Sequence, residues 1–176
     1  AGALTSNTSG SQNTAVGSIS LGANTTGSYN TALGTTALSG NTTGSNNVAV
    51  GSGALSTNTT GTFNIGVGIN AIAGLNMSGS NNIGIGQNAI KKNTSGTYNI
   101  GLGYQSLFNN NSGASNIAVG TSALTGNTTG GSNIAIGTEA LKSNTTGGYN
   151  IAIGNGSLFY NMYGQYNVTV GPGSFA

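Results

Sequence analysis

Large and small apolar residues alternate in short bursts along this chain, each burst opened by Asn and closed by Gly. Asn47-Val48-Ala49-Val50-Gly51 is the clearest copy. The phrase begins again at Asn13, Asn30, Asn64, Asn82, Asn99, Asn116, Asn133, Asn150 and Asn167, with a step of 17 residues except for 18 between Asn64 and Asn82. Alternation of period 2, carried by Val, Ile and Leu, predicts a β-strand in each copy. A fixed period near 20 that fills the chain predicts stacked coils, not a globule around an enclosed site.

Each repeat holds a second, shorter apolar burst, as in Ala54-Leu55, Ala89-Ile90 and Ala140-Leu141. It predicts a second short strand. The two Gly and two Asn of every repeat leave no room for a helix. One Gly ends the first strand (Gly17, Gly34, Gly51) and another closes an Asn-Thr-Thr-Gly loop (Gly27, Gly44, Gly61). Both columns are expected at positive φ or at close backbone approaches. The Asn column at 7, 24, 41, 58, 76, 93, 110, 127, 144 and 161 is expected to form a ladder of amides bonded coil to coil. The resulting expectation is all-β: a parallel β-roll or β-solenoid of ten 17-residue two-strand coils. Stacked at ~4.8 Å per coil, it would be a rod on the order of 50 Å long.

In this reading Val48 and Val50 fill the roll and Ala49 lies outside. Solvent alone would not demand a small residue at every coil. The column Ala49, Gly66, Gly84, Gly101, Ala118, Ala135 and Ala152 is therefore expected to be where another chain packs. About three large apolar side chains per coil must offset the ordering of a whole repeat, a thin margin that also favours an oligomer.

Composition narrows the chemistry. The chain has 176 residues, with Lys91, Lys92 and Lys142 as its cations and Glu139 as its one acidic side chain. Strict periodicity with almost no charge argues against disorder. A net charge of +2 makes no basic stripe, so no nucleic-acid partner is expected. No Cys means no disulfide or thiolate metal site, and no apolar run reaches the ~20 residues of a membrane span. With no His and a single carboxylate, paired acid–base catalysis cannot be assembled within the chain. No enzyme activity, cofactor or metal is expected.

Aromatic residues are the remaining candidates. Tyr29, Phe63, Tyr98, Tyr149 and Tyr166 each precede a strand-opening Asn, as packing residues or as a stacking platform for sugars. The stretch 158–176 departs from the repeat, with Asn161-Met162-Tyr163-Gly164 in place of the Thr loop and Phe175 near its end. Terminal repeats are often atypical because they cap the stack. Phe159, Tyr160, Tyr163 and Tyr166 are the candidates for ligand or receptor contact there. The Asn-Thr-Thr loops also carry glycosylation sequons at Asn24, Asn41, Asn58, Asn127 and Asn144, with turn chemistry as the plainer explanation.

The phrase Asn133-Ile134-Ala135-Ile136-Gly137, followed two residues later by Ala140-Leu141, resembles the head repeats of trimeric autotransporter adhesins. The Asn-Thr-Thr-Gly spacers resemble repeats of phage and large-virus tail fibres. The resemblance covers essentially the whole chain. It implies a left-handed parallel β-roll, three of which pack side by side about a threefold axis. It also implies an extracellular, cell-surface or virion fibre that attaches to a host glycan or surface receptor. The family's head units are commonly shorter than 17 residues, and the chain shows no neck motif, coiled-coil stalk or membrane anchor. The chain reads as a single repeat domain over 1–176, and its start within a repeat suggests a segment of a longer fibre. Two other classes fit the pattern: an ice-binding solenoid, motivated by the Thr columns, and a self-assembling filament subunit, motivated by open end coils.

Overall fold

In the computed structural model, residues 2–74 and 77–174 are described. Each Asn-opened phrase forms a three-residue strand: β1 Thr14–Val16, β2 Thr31–Leu33, β3 Val48–Val50, β4 Ile65–Val67, β5 Ile83–Ile85, β6 Ile100–Leu102, β7 Ile117–Val119, β8 Ile134–Ile136, β9 Ile151–Ile153 and β10 Val168–Val170. The ten strands make one parallel sheet in sequence order. Equivalent residues pair, Ala49 with Gly66 and Gly101 with Ala118 among them. The described residues contain no helix, and the chain is a β-solenoid with one strand per coil.

The second apolar burst is not a strand. It runs through overlapping turns that alternate local and coil-to-coil bonds. Ser20 N–H donates to the Gly17 carbonyl (3.3 Å), Gly22 N–H to Ile19 (3.1 Å) and Asn24 N–H to Leu21 (3.2 Å). The intervening amides of Leu21 and Ala23 reach Ala37 and Ser39 of the next coil, each at 3.0 Å. This alternation requires left-handed backbone, and the chain puts Leu or Ile there. Leu21, Leu38, Leu55, Ile72, Ile90, Leu107, Leu124, Leu141 and Leu158 have φ between 49° and 54°. Such φ is costly for a non-Gly residue, most of all a β-branched one. Burial offsets it, because among the described residues these are the large apolar side chains that recur coil after coil in the core.

The inside and outside of the strand are the reverse of the expectation. The small residues point inward: Ala49, Ala118, Ala135 and Ala152 are fully buried, and so are Gly66, Gly84 and Gly101. The flanking Val, Ile and Leu point outward and are half-buried or exposed. The physical reason is width. One Leu or Ile per coil already fills the interior from the turn side, so the strand facing it must be small. A Cβ on Gly84 would stand 2.6 Å from Ile72 Cγ1, and one on Gly101 2.7 Å from Ile90 Cγ1. Where the turn residue is the broader Ile, the next strand carries Gly. Where it is Leu, the next strand carries Ala, except for Gly66 after Leu55 and Thr169 after Leu158.

The two Gly columns serve different ends. Gly51 has φ 127°, and an added Cβ would lie 2.7 Å from the Gly68 carbonyl oxygen. Gly44 lacks positive φ, but a Cβ there would meet the next backbone at Gly61 and its own Asn41. Asn ladders run beside both columns, as expected. In the strand ladder, Asn116 Oδ1 accepts from the Asn133 backbone (3.0 Å) and side chain (3.1 Å), while Asn116 Nδ2 donates to Asn99 Oδ1 (3.2 Å) and the Gly130 carbonyl (2.8 Å). In the turn ladder, Asn41 Nδ2 reaches Asn24 Oδ1 and Asn58 Nδ2 reaches Asn41 Oδ1, both at 2.8 Å. Buried amides bonded on every side stack the coils in one register.

Candidate functional site

The outward side chains of the sheet form the largest candidate surface. Val48, Ile65, Ile83, Ile100, Ile117 and Ile134 pair in register down one column, and Val50, Val67, Ile85, Leu102, Val119 and Ile136 down a second. The columns are about 7 Å apart and run over on the order of 45 Å. Ile85 and Ile136 are 44% and 40% exposed, and on the first and last strands exposure reaches 55% at Val16 and 73% at Val170. Parallel sheets are ordinarily covered on both faces. Here the chain's own turns cover one face, and the other presents apolar side chains to the outside.

Ala49, Gly66, Gly84, Gly101, Ala118, Ala135 and Ala152 therefore offer no surface to a second chain. Any chain that packs on this sheet meets the large apolar columns instead. The missed signal was the Ile72–Gly84 and Ile90–Gly101 pairing, which ties the small column to the interior.

Tyr29, Phe63, Tyr98, Tyr149 and Tyr166 flank the apolar face and are all more than half exposed. Each has φ between 57° and 60°, so the backbone fixes where the ring leaves the coil. Tyr149 and Tyr166, on adjacent coils, stack with centroids 5.1 Å apart and planes 9° from parallel.

The four candidate contact residues of the last coil do not form one cluster. Phe159 is half-buried, meets Tyr160 edge-on at 4.7 Å and lies under the Lys142 ammonium at 5.2 Å. Tyr163 takes the exposed hydroxyl-column position, and Tyr166 stacks on Tyr149. Tyr160, Tyr163 and Tyr166 are each about two-thirds exposed or more, at 67%, 67% and 72%. Phe175, and Leu75 and Asn76 in the 18-residue coil, lie outside the described residues.

The Thr columns divide in two. The first hydroxyl of each loop donates to the next coil's backbone, as in Thr25 to Thr42 (3.0 Å) and Thr128 to Thr145 (3.0 Å). The second faces outward in a single file: Ser9, Thr26, Thr43, Thr60, Ser78, Ser95, Ser112, Thr129 and Thr146. The sequon residues Asn24, Asn41, Asn58, Asn127 and Asn144 are fully buried, so turn chemistry explains them and the folded chain presents no acceptor amide there. Glu139 pairs with Lys142 at 2.6 Å. No helix among the described residues is long and apolar enough to cross a membrane. No protein-family model, no curated protein and no solved structure matches the chain.

Proposed function

We propose that the chain is a non-enzymatic structural and adhesive segment of an extracellular fibre on a cell or virion, working as a left-handed homotrimer. The observation that carries the reading is the uncovered apolar face of the parallel sheet. Three such faces turned toward a common axis would bury all twenty outward strand positions, and the register of the ladders keeps each face straight enough to match its neighbours. The stacked coils then supply reach. The exposed rings of Tyr160, Tyr163 and Tyr166, with Phe159 behind Tyr160, supply contacts to a host glycan or surface receptor.

Light scattering on the eluting peak tests the assembly: a mass three times 17.0 kDa is expected, and a monomer with intact β-structure would overturn it. Ile117→Lys, outward on β7, is expected to dissociate the trimer while each coil keeps its fold. A variant that stays trimeric would place the interface elsewhere. For adhesion, Tyr160→Ala with Tyr163→Ala should abolish attachment to the target surface without changing mass.

A further inference from the structure

We propose a binding site for an acidic saccharide, carboxylated or sulfated, in the turn-side cavity that spans the 18-residue coil and the two coils after it. Three departures from the repeat meet there. The first is the period itself, which lengthens between Asn64 and Asn82. Met77 bridges Asn58 at this point and is fully buried, and Asn58 Oδ1 is buried without a partner, as Asn144 Oδ1 is in a regular coil. A buried, unsatisfied amide oxygen costs about 1–3 kcal/mol.

The second departure is a cavity of about 440 Å³, lined by Ala73, Lys91, Lys92, Thr94, Asn109 and Asn111. That volume suits a small ligand. The third is charge. Lys142 is neutralised by Glu139, the chain's only acidic side chain, so Lys91 and Lys92 have no carboxylate side chain to pair with. Both ammoniums lie over the ring of Phe108, at 5.9 and 5.2 Å from its centroid, which holds two flexible cations beside the same cavity. Thr94 Oγ1 donates to the Asn111 carbonyl at 3.0 Å, which ties two of the polar lining residues together. The alkyl stems of the lysines and Ala73 give the walls an apolar surface for a sugar ring. Two cations, polar side chains and apolar walls match a pyranose that carries one compact anion.

No lining residue belongs to a strand, so the site does not depend on the oligomer and its failure leaves the trimer untouched. The test is amide chemical-shift titration of the whole chain with a sulfated disaccharide, a uronate-containing disaccharide, a neutral disaccharide and inorganic sulfate. Saturable shifts at Lys91, Lys92, Thr94, Asn109 and Asn111 are expected with one or both acidic sugars. Lys91→Gln with Lys92→Gln should weaken binding at least about tenfold, the scale of one lost charge-assisted bond, with an unchanged melting temperature. Lys142→Gln should change nothing. Equal response to the neutral sugar, equal affinity for inorganic sulfate, or wild-type binding by the double variant would each overturn the proposal.

Discussion

The coil that opens at Ile117 and the coil that opens at Ile65 each hold a strand, a core residue and a place in the strand ladder, yet the turn side of the second is one residue longer. Around Ile117, Asn127 Nδ2 reaches Asn110 Oδ1 (2.7 Å) and Asn144 Nδ2 reaches Asn127 Oδ1 (2.9 Å). Around Ile65, Met77 meets Asn58, and Asn58 Oδ1 accepts nothing. The extra residue falls on the turn side of the coil. The strand ladder crosses the irregular coil intact, with Asn82 N–H 2.9 Å and Asn82 Nδ2 3.2 Å from Asn64 Oδ1. Register is therefore set on the strand side, and the turn side is where the repeat can be varied.

The largest test of that division is to remove one Asn from each ladder. Asn116 carries bonds to three neighbours inside a buried column. Asn116→Ala strands the groups on both sides, and a loss of roughly 3–4 kcal/mol is expected from several unmade buried bonds. Asn58→Ala removes a residue already short of one partner and should lose about half as much. Denaturant unfolding at fixed protein concentration compares them, because assembly would otherwise shift both values. Equal losses would end the distinction between the ladders.

A smaller effect separates core fit from backbone need. Gly84→Ala places a Cβ against Ile72, and about 2 kcal/mol of overpacking is expected. The same change beside Ile72→Leu should recover most of it, since Leu faces Ala at Ala118 and Ala135. Additive losses in the double-mutant cycle would mean that the glycine answers to the backbone and not to Ile72.

Smaller again is the regularised coil. Deleting Leu75 restores the 17-residue step from Asn58 to Asn76. A gain of about 1 kcal/mol is expected from one regained buried bond. The same deletion should abolish the acidic-sugar response if the cavity depends on the longer coil.

The period, the strands, the Asn ladders and the close-approach glycines were all legible in the sequence, because each rests on spacing and local chemistry. Which side of the strand faces in was not. Period 2 separates Val48 and Val50 from Ala49 but does not say which set is enclosed. The usual assumption, that large side chains fill the interior, fails where the opposite wall supplies the bulk. Nor did the sequence show the turn wall itself. Leu and Ile are poor candidates for φ near 50°, so Ala89-Ile90 read as a strand. Of the proposed sugar site, the unpaired lysines were visible and the cavity was not, since its walls come from three successive coils.

The finest comparison lies within a single loop, between Thr128 and Thr129. Thr128 Oγ1 donates to the Thr145 carbonyl at 3.0 Å, whereas Thr129 is exposed. Thr128→Val should cost about 1 kcal/mol, the net worth of one hydrogen bond, and Thr129→Val no more than about 0.5. The same pair of variants bears on ice. An ice-binding array needs neighbouring files of outward hydroxyls, and here the first file is turned onto the backbone while the second stands alone. Thermal hysteresis is therefore expected to be absent in the wild type and in both variants. Measurable hysteresis that Thr129→Val removes and Thr128→Val leaves would show that the single outer file suffices, and would move the chain to that class.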